Sequence, residues 1–368
     1  MVTLVLTSCS SDSTDNAEDS HAKQRVLHLI AGRQTYSDMT VNTRQPFSVG
    51  TGGDAVNYDV LTTPESSLRV YITTSGRLDF YGDFAYEKAE GSDTYSWTKT
   101  VPLDNDNYYI YGFMPSSLMS TTTIEPYSGN NYANGAILTI GNAPSLMTDD
   151  FSAIVGVKRA PSKAGNIASA EMQRGSYEYE VTRADADNYI YLLLDHVYAN
   201  LRFTMAVDET YAQLRSIHLK EFTITPTTPK FNVKATLIPG TATTLTPVFT
   251  PTGTGTGTTQ TLWEGSKDIA LNKTTDAAPT LLYGTADYQN FYIAPSESNA
   301  EFTITCRYDV CDRKGNLIRK DCEASNKLSF SGLSLKPGDR LTVPLIVMPT
   351  YLYVLSEPDL DSPAIKVN

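Results

Sequence analysis

Apolar positions along this chain alternate with polar ones in short runs, and the runs are separated by Gly, Asp, Asn and Pro. Between about 55 and 160 this pattern predicts strands at Leu68 to Thr73, Leu78 to Tyr86, Tyr95 to Val101, Tyr108 to Met114, Ala136 to Ile140 and Phe151 to Val157. Recurrence every 8 to 15 residues or so, with turn chemistry between, is the rhythm of a β-sandwich. No stretch in this half has helical periodicity, and Pro161 to about Ser176 reads as a loop or short helix closing it.

The second half repeats the rhythm. Strands are predicted at Tyr189 to Leu194, Ala199 to Val207, Ser216 to Thr225, Lys230 to Leu237, Phe302 to Val310, Leu317 to Cys322 and Leu341 to Val347. Gly240 to Thr261 is dominated by Thr and Gly and reads as a low-complexity surface loop. The prediction is an all-β protein of two tandem β-sandwich domains built of antiparallel strands, at 25–188 and 189–368.

Both ends depart from the pattern. Ser10 to about Lys23 is too polar to bury anything, so 10–24 reads as a tether. Val26 to Ile30 then forms an isolated apolar run, followed by a polar stretch from Gln34 to Arg44. At the other end Tyr351, Leu352, Tyr353, Val354 and Leu355 are apolar on both faces, as in a strand that inserts into its own core or completes another chain's sheet. Glu357 to Pro363 is expected to break that run.

Composition narrows the function classes. The chain of 368 residues carries 29 basic and 41 acidic residues, a net charge of -12 that repels phosphate backbones, so nucleic acid is not an expected partner. Abundant Tyr, at 23 residues, suits a strand-rich extracellular protein. No apolar run reaches the roughly 18 residues of a membrane helix.

Candidate chemistry is sparse. No nucleophile elbow, zinc helix, phosphate loop or dinucleotide fingerprint is present, so neither enzyme activity, nor a metal, nor a cofactor is expected. His21, His28, His196 and His218 read as structural or solvated. Asp104 to Asn107 lacks the glycine and distal glutamate of a calcium loop and reads as a turn. Trp97 and Trp263 stand in strand-like surroundings where core packing is the default. Among the cysteines, alternation puts Cys306 on the buried face of its strand and Cys311 on the other. A three-residue loop, Arg313 to Gly315 with Gly315 left-handed, would set Asp312 against Asn316, Val310 against Ile318 and Cys306 against Cys322; a bulge would shift that register.

Near the start, Leu6, Thr7 and Ser8 before Cys9 resemble a bacterial lipobox, with 1–9 a truncated signal, since only eight residues precede the cysteine. With this motif, NYYIYGFMP at 107–115, DHVYANLRFTMAV at 195–207 and LSLKPGDRLTVPLIV at 333–347 resemble the fimbrillins of Bacteroidales, FimA/Mfa-like subunits of type V pili. The resemblance implies two transthyretin-like sandwiches and export as a lipoprotein with lipid on Cys9 at the outer membrane. It further implies removal of an N-terminal strand after an arginine by a trypsin-like protease, and polymerisation by strand exchange with other pilus subunits at the cell surface. Arg44, which follows Thr43, is the first candidate for cleavage and Arg33 the second; cutting after Arg25 would leave Val26 to Ile30 in place. Tyr351 to Leu355 is the expected donor segment. A glycan-binding surface lipoprotein and an uncleaved anchor subunit are the competing readings.

Overall fold

The computed structural model describes residues 24–40, 58–61, 63, 65–88, 95–118, 120, 122–159, 173–181, 187–240, 245–270, 279–284, 287–295, 301–330, 335–350 and 359–367. Cys9, Arg44 and Tyr351 to Leu355 lie outside these.

Strands dominate. In chain order the first half holds β1 (Gln24–Gln34), β2 (Ser37–Thr40), β3 (Tyr58–Val60), β4 (Leu68–Thr73), β5 (Leu78–Lys88), β6 (Tyr95–Pro102), β7 (Asn107–Met114), β8 (Thr122–Ser128), β9 (Asn131–Pro144), β10 (Leu146–Met147), β11 (Ser152–Arg159) and β12 (Glu178–Glu180). Then come β13 (Asp187–His196), β14 (Ala199–Val207), β15 (Ser216–Pro226), β16 (Lys230–Leu237), β17 (Thr246–Thr252) and β18 (Gln260–Ala270). The chain ends with β19 (Thr280–Leu281), β20 (Phe291–Ile293), β21 (Glu301–Cys311), β22 (Leu317–Ser329), β23 (Asp339–Thr350) and β24 (Asp359–Val367).

Four sheets form from these strands. The first runs β11-β13-β1-β6-β5-β4-β7, and β7 pairs back to β11, so the strands close into a ring. Inward positions fill its interior: Leu27, Leu29 and Ala31 of β1 meet Val70, Ile72, Phe84, Trp97, Ile190 and Leu192. Closure removes the exposed edges that an open sheet would leave. The second half is a sandwich, in which the sheet around β14 and β23 faces the sheet β18-β15-β21-β22 over Phe203, Met205, Phe222, Ile304 and Leu345.

A further sheet of four strands, β17-β16-β9-β8, is drawn from both halves of the chain. Its Leu138, Ile140, Phe231 and Val233 pack on outward residues of the ring, including Tyr111, Phe113 and Leu193. The expected boundary at 188/189 falls within β13, and strand pairing crosses it. All-β architecture and mostly antiparallel pairing are as the pattern predicts. Among the described residues three pairs are parallel: β1 with β13, β14 with β23, and β2 with β23.

Three local expectations need correction. The Thr/Gly-rich stretch contains β17, an edge strand on β16; Pro247 and Pro251 are tolerated there because an outer strand has one unpaired side. Glu357 to Pro363 does not end strand structure, since β24 starts at Asp359 and pairs with β23. The ladder jumps from Thr350↔Asp359 to Met348↔Ala364, so Pro363 falls in the irregular stretch where its missing N–H costs no regular bond. The cysteine register also changes. Asp312 N–H does donate to Asn316 O at 2.8 Å and Gly315 has φ 86°, but two bulges put Val310 against Arg319, Tyr308 against Cys322 and Cys306 against Ala324. Cys306, Cys311 and Cys322 are all buried free thiols.

Candidate functional site

The first strand is paired along both edges within the ring. Apolar residues at 27, 29 and 31 favour an extended segment with one buried face, and Ile30 serves the neighbouring core on the other. One edge of β1 pairs parallel with β13, from Val26↔Asp187 to Arg33↔Leu194. The opposite edge pairs with β6 from Gln24↔Pro102 to Leu29↔Trp97, and then with β3 from Gly32↔Val60 to Gln34↔Tyr58. Burying Leu27, Leu29 and Ile30 stabilises the ring by about 1.5–3 kcal/mol each. Trp97 is fully buried, its indole N–H donating to Ser66 O at 3.0 Å. His28 stacks on Tyr189, with ring centroids 4.6 Å apart.

Beyond Ala31 the apolar face of β1 gives way to charge. Arg33 Nη2 lies 2.6 Å from Glu65 Oε2, and Nη1 lies 3.3 Å from Asp150 Oδ2. The three side chains are only 13%, 15% and 6% exposed. Asp150 Oδ1 also accepts from Tyr36 OH at 2.9 Å and lies 2.9 Å from His196 Nδ1. The other ring nitrogen, Nε2, faces the Gln34 carbonyl oxygen at 2.6 Å. Both ring nitrogens of His196 thus face oxygen atoms. Tyr36 stacks on the His196 ring at 3.6 Å between centroids.

Burial opposes the Arg33 charge, yet Asp150 and Glu65 outweigh it and hold the guanidinium pKa above its ordinary value. Burial likewise pushes Asp150 up, but His196 and Arg33 win and its carboxyl sits below the usual carboxylate range. Tyr36 is driven well up, first by burial and then by the Asp150 charge. The segment then reaches the second half: Arg340 lies over the Tyr36 ring at 5.0 Å and 3.3 Å from Asp38 Oδ1, and β2 pairs with β23 from Ser37↔Asp339 to Thr40↔Thr342. The charged cluster thus fixes the stretch between β1 and β2 to both halves of the molecule.

Arg33, the second cleavage candidate, and Arg25, the least favoured, are both held. Arg33 stands within the β1–β13 ladder, and Arg25 is buried with Nη2 donating to Asn105 Oδ1 at 2.6 Å. His196, read from sequence as structural or solvated, is buried between Asp150, the Gln34 carbonyl and the Tyr36 ring. Asp104 to Asn107 forms a turn, in which Asp106 Oδ1 accepts from Asn107 N–H at 2.8 Å. Among the described residues no group of three or more His, Cys, Asp or Glu side chains could hold a metal. Sequence reading missed Glu65 and Asp150, which stand in loops far from Arg33 along the chain; their signal is topological.

Neither the protein-family models nor the curated proteins contain a match to this chain. Among solved structures it is similar to a fimbrial protein from Bacteroides vulgatus, with 12% identity, 82% of this chain and 91% of that one covered, and a TM-score of 0.39. A protein from Bacteroides fragilis provisionally assigned to cell adhesion is 10% identical, with 94% and 97% covered and a TM-score of 0.43. A second fimbrial protein, from Bacteroides ovatus, is 10% identical at a TM-score of 0.32, with 94% of this chain and 54% of that one covered.

Proposed function

We propose that this chain is a structural subunit of a surface fimbria, of stalk or tip type, that polymerises by strand exchange and serves adhesion. The observation that carries this reading is the position of β1: a strand at the start of the chain that completes a closed ring, flanked on both edges and lining its interior. Taking it out would leave the edges of β13 and β6 without partners and uncover Ile190, Leu192 and Trp97. Such a groove binds a replacement strand through ladder hydrogen bonds and alternate side chains, the physics of strand addition. The motifs at 107–115, 195–207 and 333–347 support the same reading.

In this proposal Cys9 carries lipid and holds the precursor at the outer membrane until a trypsin-like protease cuts. Arg44 is the preferred site. A cut there frees β1 and β2 together, whereas the bond after Arg33 lies inside a ladder. The donor is the C-terminal region of another subunit, beyond β23, including Tyr351 to Leu355.

Limited trypsin treatment, N-terminal sequencing and size-exclusion chromatography test the reading together. A mature chain starting at Gln45 that forms polymers, and fails to do so without residues 351–368, is expected. A chain cut only ahead of β1, or one that stays monomeric after loss of β1, would overturn it.

A further inference from the structure

We infer that the strand replacing β1 must bring a cation to the place of Arg33, and that Lys366 of a second copy is that cation. This rests on the strand-exchange reading above. When the segment through Arg44 leaves, it takes Arg33, the Tyr36 hydroxyl and the Gln34 carbonyl with it. Glu65 and Asp150 stay behind, two enclosed carboxylates of which only Asp150 lies against the His196 imidazole. An enclosed carboxylate without its partner is strongly unfavourable, more so than a lost apolar contact at a groove margin. The vacated groove is therefore apolar along most of its length and acidic at one end, and a fitting strand has the same polarity as β1: apolar positions, then a cation.

The chain's own tail can be checked against that requirement. β1 reads Leu27, Leu29, Ala31, Arg33 at two-residue spacing along its inward face, and the tail reads Leu360, Ser362, Ala364, Lys366 at the same spacing. Lys366 is the only Lys or Arg after Arg340. Seating the more apolar Tyr351 to Leu355 at 27–31 in the direction of β1 puts Glu357 at the acidic end; shifting by one residue puts Pro358 there. The reverse direction delivers Pro349 or Met348. Only the register that aligns Leu360 with Leu27, running as β1 runs, supplies positive charge. It sets Pro363 at the place of Ile30, at the expense of no more than one regular ladder bond, and it moves the seated part of the donor from Tyr351 to Leu355, the segment expected from sequence, to 357–367, with Tyr351 to Leu355 ahead of the ring's first rung.

In the isolated chain the same tail segment is engaged elsewhere. β24 pairs with β23 at Leu345↔Val367 through Met348↔Ala364, on a strand whose other end pairs with β2. Donation requires that pairing to open. Arg340 also loses contacts, to Tyr36 and Asp38, on removal of the segment, though Asn200 Oδ1 still holds its Nε at 3.3 Å. If Arg340 swung to Asp150, the requirement for an incoming cation would vanish, and the test below detects this.

The test uses full chain in which a site-specific protease sequence replaces the residues around Arg44. After cleavage and release of the N-terminal segment, fluorescent peptides covering 351–368 are titrated as wild type, Lys366→Arg and Lys366→Gln. The expected result is binding of the first two and at least about 100-fold weaker binding of the third. Glu65→Gln in the acceptor should restore much of the binding of the Lys366→Gln peptide. Equal affinity of all three peptides overturns the inference while leaving strand exchange standing. Failure of every peptide to bind, with no polymers from intact chains, overturns strand exchange and the inference together.

Discussion

Replacing Arg33 with methionine keeps the length and packing of the side chain but removes its charge, so the consequence should be read in Glu65 and Asp150. Both carboxylates are enclosed, with 15% and 6% of their side chains exposed, and among the described residues Arg33 is the only arginine or lysine with an ion pair to either, while His196 lies against Asp150. Breaking an enclosed ion pair from one side costs about 3–5 kcal/mol, because the surviving charge has lost its water and its partner. His196 offsets part of this for Asp150, and slight exposure of Glu65 offsets part for the other, so the lower end, about 3 kcal/mol, is the expectation for Arg33→Met. Equilibrium unfolding in urea measures it. Adding Glu65→Gln removes the orphaned charge, and the double variant should recover about 1–3 kcal/mol relative to the sum of the single changes. A loss below about 1 kcal/mol for Arg33→Met, or strict additivity with Glu65→Gln, would refute the claim that charge pairing anchors this end of β1.

Two further outcomes follow from local geometry. Asp150 has a lowered pKa in the folded chain, so its stabilisation is present above the ordinary carboxylate value of about 3.9 and is lost as pH falls through the lower folded value; the stability gap between wild type and Asp150→Asn should therefore narrow from about pH 7 to about pH 3 in urea titrations, and a constant gap would contradict this. Gly175 has φ 77°, and a Cβ there would stand 2.0 Å from Gly240 O, so Gly175→Ala should lower stability by at least about 1 kcal/mol in the same assay, with an unchanged midpoint as the contrary result.

Periodicity made much of the fold legible. β4, β14 and β16 begin and end where the apolar pattern places them: β16 alternates buried and exposed positions, whereas β4 and β14 are buried on both faces over most of their length. β8 escaped notice since no residue in it is fully buried, so no apolar alternation marks it. Closure of the ring through β7 and β11 was not readable either: it depends on two residue pairs, Ser152↔Met114 and Ala153↔Phe113, that no local pattern encodes. The cysteine register failed for a related reason. Asp321 takes φ 53° and its N–H donates to Asp309 Oδ1 at 2.8 Å, a side-chain bond that accompanies the shifted ladder. As for the site, the apolar run of β1 was visible and its charged anchor was not, since Arg33 meets residues 32 and more than 100 positions away.

The parallel pairing of β1 with β13 has a consequence for the order of assembly. Residue 34 waits for its contact with His196, which lies 162 positions further along the chain. β6, the antiparallel neighbour, is synthesised first, and at about 5–20 residues per second β13 follows roughly 5–20 s later. During that interval the first strand has one ladder instead of two, and for much of it neither Asp150 beside Arg33 nor His196 against the Gln34 carbonyl. A nascent chain therefore cannot close its ring early: the last rung, and with it resistance to unfolding, arrives only when more than half of the polypeptide exists.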